Sequence, residues 1–248
     1  MKITLITVVY NGEKFLEDCI KSVLAQDYRD IEYIVIDGAS TDASLTIANK
    51  YRDQIEVLLS EKDKGMYDAL NKGIALAKGE VIGLLNADDM LASADVVTAV
   101  AERFGALNPD GIYGDLNYIN PNRENSIVRK WIGKSFTSAS IGRGWMPAHP
   151  TLYLKKTLFE KYGNYSLEYG TAADYELMLR FLYRFRINAI YLNKLMVKMR
   201  TGGISNASLK HRRHALANDL KAIKANEISF PYFTLLLKKM RKITQFFH

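Results

Sequence analysis

From Ile3 to Val9 the chain is apolar or β-branched without a break, and it turns polar at Tyr10-Asn11-Gly12. A short unbroken run ending in turn residues predicts a buried strand. From about Glu13 to Gln26 the period changes. Phe15, Cys19 and Val23 recur every four residues with Leu16 and Ile20 beside them, which predicts a helix covered on one face. A second apolar run, Ile31 to Ile36, ends at Asp37-Gly38-Ala39-Ser40-Thr41-Asp42, where Thr41 or Asp42 can cap the following helix. Ile55 to Leu59 predicts a third strand. Met66 to Lys78 predicts a helix closed at Gly79, and Val81 to Leu85 a fourth strand leading into Asn86-Ala87-Asp88-Asp89.

Strand and helix alternating at this spacing imply an α/β fold with a mostly parallel sheet flanked by helices. Ligands of such sheets bind outside the carboxyl ends of the strands. Three of these ends are polar (Tyr10-Asn11, Asp37 to Asp42, and Asn86 to Asp89), so they are expected to converge on one crevice. Beyond residue 110 the pattern is less regular. Short strands are expected at Ile112 to Tyr118 and Ser126 to Trp131, around the turn Asn120-Pro121-Asn122. Gly142-Arg143-Gly144, Pro147 and Pro150 mark a loop. Ala172 to Phe185 is helical in pattern, and Asn188 to Met199 suggests two short strands. Two more helices follow, from about Leu209 to Asn226 and after Pro231.

With 248 residues and 48% apolar content the chain can build one large α/β domain with a small appendage, and disorder is excluded as a description. The single cysteine, Cys19, allows no internal disulfide and suits a reducing compartment. The first apolar run is shorter than a secretion signal requires, and nowhere do the ~20 apolar residues of a spanning helix occur. A cytoplasmic, non-spanning protein is expected.

Charge changes this picture at one end only. Residues 208–248 hold nine Lys and Arg against two Asp and Glu, a surplus of seven that equals the whole formal net charge of +7. The other residues carry 25 of each sign. A nucleic-acid enzyme would carry basic residues around its site as well, so no nucleic-acid partner is expected. In the tail, Phe233, Leu236, Leu237, Met240, Ile243 and Phe247 form one helical stripe among Lys238, Lys239, Arg241 and Lys242. That pattern suits a helix lying in an anionic membrane interface, peripheral on the inner face of the cell membrane. Packing on the domain, or on a second subunit as a homodimer, is the alternative.

Asp88 and Asp89 are the sharpest local signal. Carboxylates at the end of a buried strand are costly unless their charge is used. Mg²⁺ and Mn²⁺ take oxygen ligands, often one or two carboxylates plus substrate phosphates. A cation there would neutralise a departing diphosphate. The alternative is that both aspartates cap a following helix.

Tyr10-Asn11-Gly12, Asp37 to Asp42, Glu61 to Gly73, Gly79-Glu80-Val81 and Asn86 to Asp89 stand in the order and at separations similar to those of family-2 glycosyltransferases of the GT-A fold. The chain resembles bacterial enzymes that build O-antigen, capsule or exopolysaccharide, strongly over residues 1–90 and moderately over 91–200. The resemblance implies a Rossmann-like GT-A domain over residues 1–205. Its nucleotide-binding half would be 1–105 and its acceptor-side half 106–205, with a basic amphipathic helical tail over 206–248. It also implies an inverting hexosyltransferase that uses Mn²⁺ or Mg²⁺, a UDP-sugar donor and a lipid-linked (polyprenyl-diphosphate) saccharide acceptor.

Residue roles follow from the same resemblance. Asp88 inherits the metal, with Asp89 and His149 as further candidates, while Asn86 replaces the first Asp of the family's Asp-X-Asp. Asp37 would bond the uracil N–H. Val9, Tyr10, Asn11, Lys64, Tyr67, Asp68, Asn71, Asn86 and Ala87 would line the nucleotide-sugar pocket. Asp174 would be the catalytic base, with Ala173 where relatives commonly place Glu. His149 and Trp145, with Met146, would face the acceptor. Thr201 to Asn206 would close over the diphosphate, or serve as a linker. Two rival functions stand beside this one. A sugar-phosphate nucleotidyltransferase would carry a Gly-rich basic stretch after the first strand, where Tyr10-Asn11-Gly12-Glu13 stands instead. A degenerate, non-catalytic sugar- or nucleotide-binding protein is kept in view by Asn86 and Ala173.

Overall fold

The structure, a computed structural model, describes residues 1–202 and 209–244. In chain order the elements are β1 (Ile3–Val9), α1 (Leu16–Leu24), β2 (Ile31–Asp37), α2 (Ser44–Asn49), β3 (Val57–Ser60), α3 (Met66–Leu76), β4 (Val81–Asn86), β5 (Asp89–Leu91) and α4 (Val96–Leu107). There follow β6 (Gly111–Asn120), β7 (Arg123–Trp131), α5 (Ser138–Gly142), β8 (Tyr153–Lys155), α6 (Lys156–Tyr162), α7 (Ala173–Met178), β9 (Ala189–Arg200), α8 (Leu209–Ala225) and α9 (Pro231–Thr244). One sheet runs β3-β2-β1-β4-β8-β6-β9-β5, with β7 paired to β6. Strands β1 to β4 are parallel, and β8 is antiparallel to both β4 and β6. This is the expected α/β architecture, and it carries helices on both faces.

The apolar runs are buried because both sheet faces are covered, the condition under which strands lose their polar alternation. All seven residues of β1 are buried. One face packs Cys19 and Ile20 of α1 with Val97 and Phe104 of α4. The other packs Leu70 and Ile74 of α3 with Tyr175, Leu177 and residues of α8. Helix α3 lies so close to β1 that a Cβ on Gly73 would sit 2.5 Å from Ile6 Cγ2. Only glycine fits at that crossing.

Three elements differ from expectation. The stretch Asn188 to Met199 is one strand, because β6 runs parallel to it along its length and absorbs the irregularity between Tyr113 and Leu116. The helix from Ala173 passes at Leu179 into a π turn ending at Arg184, where the Phe185 amide donates to the Arg180 carbonyl. Asp88 and Asp89 do not start a helix: Asp89 opens β5, and α4 begins only after Asp95. Among the described residues no helix is long and apolar enough to cross a membrane. The expected closing segment beyond Gly202, like Phe247 of the tail stripe, lies outside the described residues.

Candidate active site

Strand register brings the polar ends together. Val9 is paired with Asp37, and Val8 with Asn86, so three neighbouring parallel strands finish side by side. Asp37 is fully buried, where a lone carboxylate would be costly. It accepts from the Ser60 hydroxyl at 2.5 Å and from the Ser40 amide at 3.2 Å. Beyond it, Gly38 is closely covered: a Cβ there would lie 2.4 Å from Asp63 Oδ2 and 3.4 Å from Tyr10 Cδ2. The exposed Tyr10 ring and the Asp63 carboxylate thus both lie against the Gly38 backbone, next to Asp37. Asp63 was not among the residues singled out from sequence, where it stands between two lysines and reads as one more surface charge.

The loops after β1 and β2 are tied to each other. The Asn11 amide donates to Ser40 Oγ at 2.8 Å, and the Thr41 amide to Asn11 Oδ1 at 2.8 Å. The Glu13 amide donates to Asp42 and the Ala43 amide to Glu13, at 3.0 and 2.8 Å. Asn11 is therefore a brace, with its backbone at a φ of 51°. Asp68 accepts from the Lys64 amide at 2.9 Å and closes the start of α3, while the Lys64 side chain is exposed. Asn71 clasps Tyr165 with both ends of its amide, at 2.8 and 3.0 Å.

The two strand-end carboxylates part company. Asp88 is half-buried at the crevice, whereas Asp89 is fully buried. Asn86 Nδ2 donates to Asp89 Oδ2 at 3.0 Å, and Asp89 Oδ1 has no hydrogen-bond partner among the described residues. Burial raises the Asp88 carboxyl, and burial together with the charge of Asp88 raises Asp89 far more. Arg200, at the end of β9, braces the pair from below. Its guanidinium donates to the Asp88 carbonyl at 3.1 Å and pairs with Asp18 and Glu124, both at 2.8 Å. The sequence offered no sign of this, since Arg200 is merely the last residue of an apolar strand.

Among the described residues no group of three or more His, Cys, Asp or Glu could hold a metal alone. The donor set does fit Mg²⁺ or Mn²⁺ bound as a shared ion, with Asp88 supplying one carboxylate oxygen and a diphosphate the rest. A cation there would also offset the cost that burial places on the ionised Asp88.

Across the crevice, Asp174 lies half-buried in the first turn of α7, and its Oδ1 accepts from the Tyr175 amide at 2.7 Å. The Tyr67 hydroxyl lies within reach of the same carboxylate: burial first, then the Asp174 charge, raises that hydroxyl. Tyr67 stacks on Tyr165 at 5.5 Å, and the Tyr165 hydroxyl shares a 2.7 Å hydrogen bond with His149 Nε2. Burial lowers the His149 imidazole, partly offset by Asp174. Tyr67 and His149 thus gather around Asp174. Trp145 does not offer the open platform expected of it. It is only 7% exposed, with its ring stacked on Phe136 at 5.7 Å and edge-on to Tyr113 at 5.9 Å. The Tyr118 hydroxyl is raised by burial and, further down, by both Asp89 and Asp174, so one side chain lies within electrostatic reach of both carboxylate centres.

Residues 4–174, more than half of the chain, match Glycosyl transferase family 2. The chain belongs to this family. A glycosyltransferase of Mycobacterium tuberculosis (strain H37Rv), itself uncharacterised, is 35% identical over 181 residues, 72% of this chain and 68% of the relative. A PGL/p-HBAD biosynthesis glycosyltransferase of Mycobacterium bovis is 29% identical over 208 residues, covering 82% of this chain and 78% of the relative. Among solved structures, TarS 1-349 of S. aureus in complex with UDP-GlcNAc superposes with a TM-score of 0.72 at 19% identity, over 98% of this chain and 73% of that one. The mannosyltransferase PcManGT of Pyrobaculum calidifontis, in complex with GDP-Man and Mn²⁺, gives 0.64 at 17% identity, over 96% and 68%. The fold expected from the resemblance is therefore the fold of this family-2 glycosyltransferase, and the nucleotidyltransferase alternative falls away.

Proposed function

We propose that this glycosyltransferase is an inverting hexosyltransferase that moves a hexose or N-acetylhexosamine from a UDP-sugar to a lipid-linked saccharide in the synthesis of a bacterial surface glycan. The observation that carries the proposal is the side-by-side ending of Val9, Asp37 and Asn86, together with Asp174 in the first turn of α7, whose charge acts with that of Asp89 on the Tyr118 hydroxyl. The exposed Tyr10 ring beside Gly38 suits contact with a flat base, and the Asp37 carboxylate that precedes Gly38 suits an N–H donor such as that of uracil. The UDP-GlcNAc held by TarS supports the same choice of donor.

In the reaction Asp174 takes the proton of the acceptor hydroxyl as the oxygen attacks the anomeric carbon. The new C–O bond forms on the face opposite the departing phosphate oxygen, whose bond to the sugar breaks, and UDP leaves with inversion. Mg²⁺ or Mn²⁺ held by Asp88 would stabilise the negative charge that accumulates on the diphosphate. Tyr67, beside the same carboxylate, would help to orient Asp174 toward the acceptor.

The test is UDP release from a panel of UDP-sugars in Mn²⁺, with and without EDTA. One donor is expected to give metal-dependent release by slow hydrolysis. Binding of UDP without turnover, even with saccharide-lipid acceptors supplied, would instead support the degenerate binding protein. Absence of UDP binding would refute the donor assignment.

A further inference from the structure

Helix α9 is docked with the unusual side inward. Its buried residues are Thr234 and Lys238 among those described, with Leu235 partly buried against the core beside them. Thr234 Oγ1 donates to the Gly142 carbonyl at 2.6 Å. Lys238 Nζ pairs with Asp219 of α8 at 2.7 Å and stands 3.3 Å from the centroid of the Tyr175 ring. The helix lies directly on the Gly144 backbone, where a Cβ would be 2.7 Å from both Lys238 N and Thr234 O. These contacts fix which side faces out. That side carries Phe233, Leu236 and Met240 at helical spacing, continued by Phe230 and Tyr232, all between 53 and 72% exposed. An apolar stripe ordinarily turns toward the core. Here a polar clasp on the opposite side holds it away from the core.

We infer that this outward face of α9 is a docking surface for an anionic lipid bilayer. From Ile228 to His248 the sequence holds no Asp or Glu, and the stripe is bordered by Lys239, which also lies 3.8 Å from Asp219, and by Arg241, whose Nε donates to the Arg143 carbonyl at 3.4 Å. At its start, Lys224 of α8 reaches the Tyr232 hydroxyl at 3.4 Å. Apolar side chains rimmed by cations match a layer whose acyl chains lie under anionic headgroups. A second copy of the chain fits less well. A two-fold contact would set this basic rim against itself, with no acidic partner in the segment. Because Lys238 rests on Tyr175, the neighbour of Asp174, the docked helix also holds the acceptor side of the crevice at a fixed relation to the bilayer. The inference goes beyond the transfer reaction and is tested without donor or acceptor.

The experiment is flotation of the full chain with vesicles of phosphatidylcholine alone, or mixed with phosphatidylglycerol. The chain is expected to float with the mixed vesicles, less with the neutral ones, and less as salt is raised. Phe233→Glu/Leu236→Glu is expected to weaken this binding by about tenfold or more, with an unchanged melting temperature and unchanged UDP binding. Lys239→Gln/Arg241→Gln is expected to weaken only the phosphatidylglycerol-dependent part. Failure of the wild-type chain to float, or equal flotation of the Glu variant, overturns the inference. So does a wild-type dimer, seen by light scattering, that the Glu variant converts to a monomer. None of these results bears on UDP release, so the proposed reaction stands or falls separately.

Discussion

The donor side and the acceptor side of the crevice are held in shape by different kinds of contact. On the donor side the loops after β1 and β2 are laced by backbone amides that donate to side-chain oxygens: Asn11 to Ser40 Oγ, Thr41 to Asn11 Oδ1, Glu13 to Asp42 Oδ2, Ala43 to Glu13 Oε2. On the acceptor side Asp174, Tyr67, Tyr165 and His149 come from four separate segments and meet through hydroxyls, rings and one imidazole. That cluster in turn rests on Asn71 and on the tail, through Lys238 and Tyr175. A side set by amides donating to side-chain oxygens should lose donor binding when such an oxygen, as in Asn11 or Asp42, is removed. A side set by side chains should respond to each loss in turnover while donor binding stays the same.

The sharpest test of this contrast is Asp174→Asn. Without a base the transfer rate is expected to fall by about 10³-fold, while UDP affinity measured by calorimetry is unchanged. If UDP affinity falls in step, the two sides are not separable. Asp88→Ala is expected to act on the other side. Loss of a Lewis acid worth several kcal/mol should reduce metal-dependent UDP release by on the order of 10²-fold. It should also abolish the effect of Mn²⁺ on UDP affinity, which Asp174→Asn leaves intact.

The acceptor side is further distinguished by its response to acid. Burial depresses the His149 imidazole below its ordinary value, with Asp174 offsetting part of this. The folded state therefore binds a proton less readily than the unfolded chain. Stability from the neutral ring is fully present above the unfolded value of about 6.5 and is lost as pH falls from there through the lowered folded value. Urea unfolding of wild type should show this fall, on the order of 1 kcal/mol for each unit of depression. His149→Gln, which does not titrate, should flatten it. An unchanged slope would mean that His149 is solvated in the folded state.

The same contrast explains what the sequence made legible. The runs at Ile3, Ile31 and Val81 and the polar ends after them required only local pattern, because a parallel strand buried on both faces announces itself. Both tail helices were legible for the same reason. The difference between Asp88 and Asp89 was not, since it depends on β5 opening at Asp89 and carrying that side chain into the interior. Asp63 and Arg200 depend on partners far away in sequence. Asp63 lies over Gly38, and Arg200 reaches back to Asp18 across 182 positions. Trp145 among glycines and prolines suggested an open loop, yet Phe136 and Tyr113 close over it. The outward stripe of α9 was visible as periodicity, but which side faced the protein was decided by Lys238 finding Asp219.

The smallest expected effect tests the acceptor side where it is least protected. Tyr165→Phe keeps the ring that stacks on Tyr67 and the backbone clasped by Asn71, and it removes only the hydroxyl shared with His149. The half-buried imidazole then loses a hydrogen bond, at a cost of about 1 kcal/mol in stability. If His149 and Tyr67 hold Asp174 toward the acceptor, the added freedom should lower kcat by about threefold, a loss of under about 1 kcal/mol in barrier terms. The KM for the donor sugar should stay at the wild-type value, because no donor-side brace has been touched. A rise in donor KM with kcat unchanged would place the Tyr165 hydroxyl on the nucleotide-sugar side and dissolve the division between the two halves of the crevice.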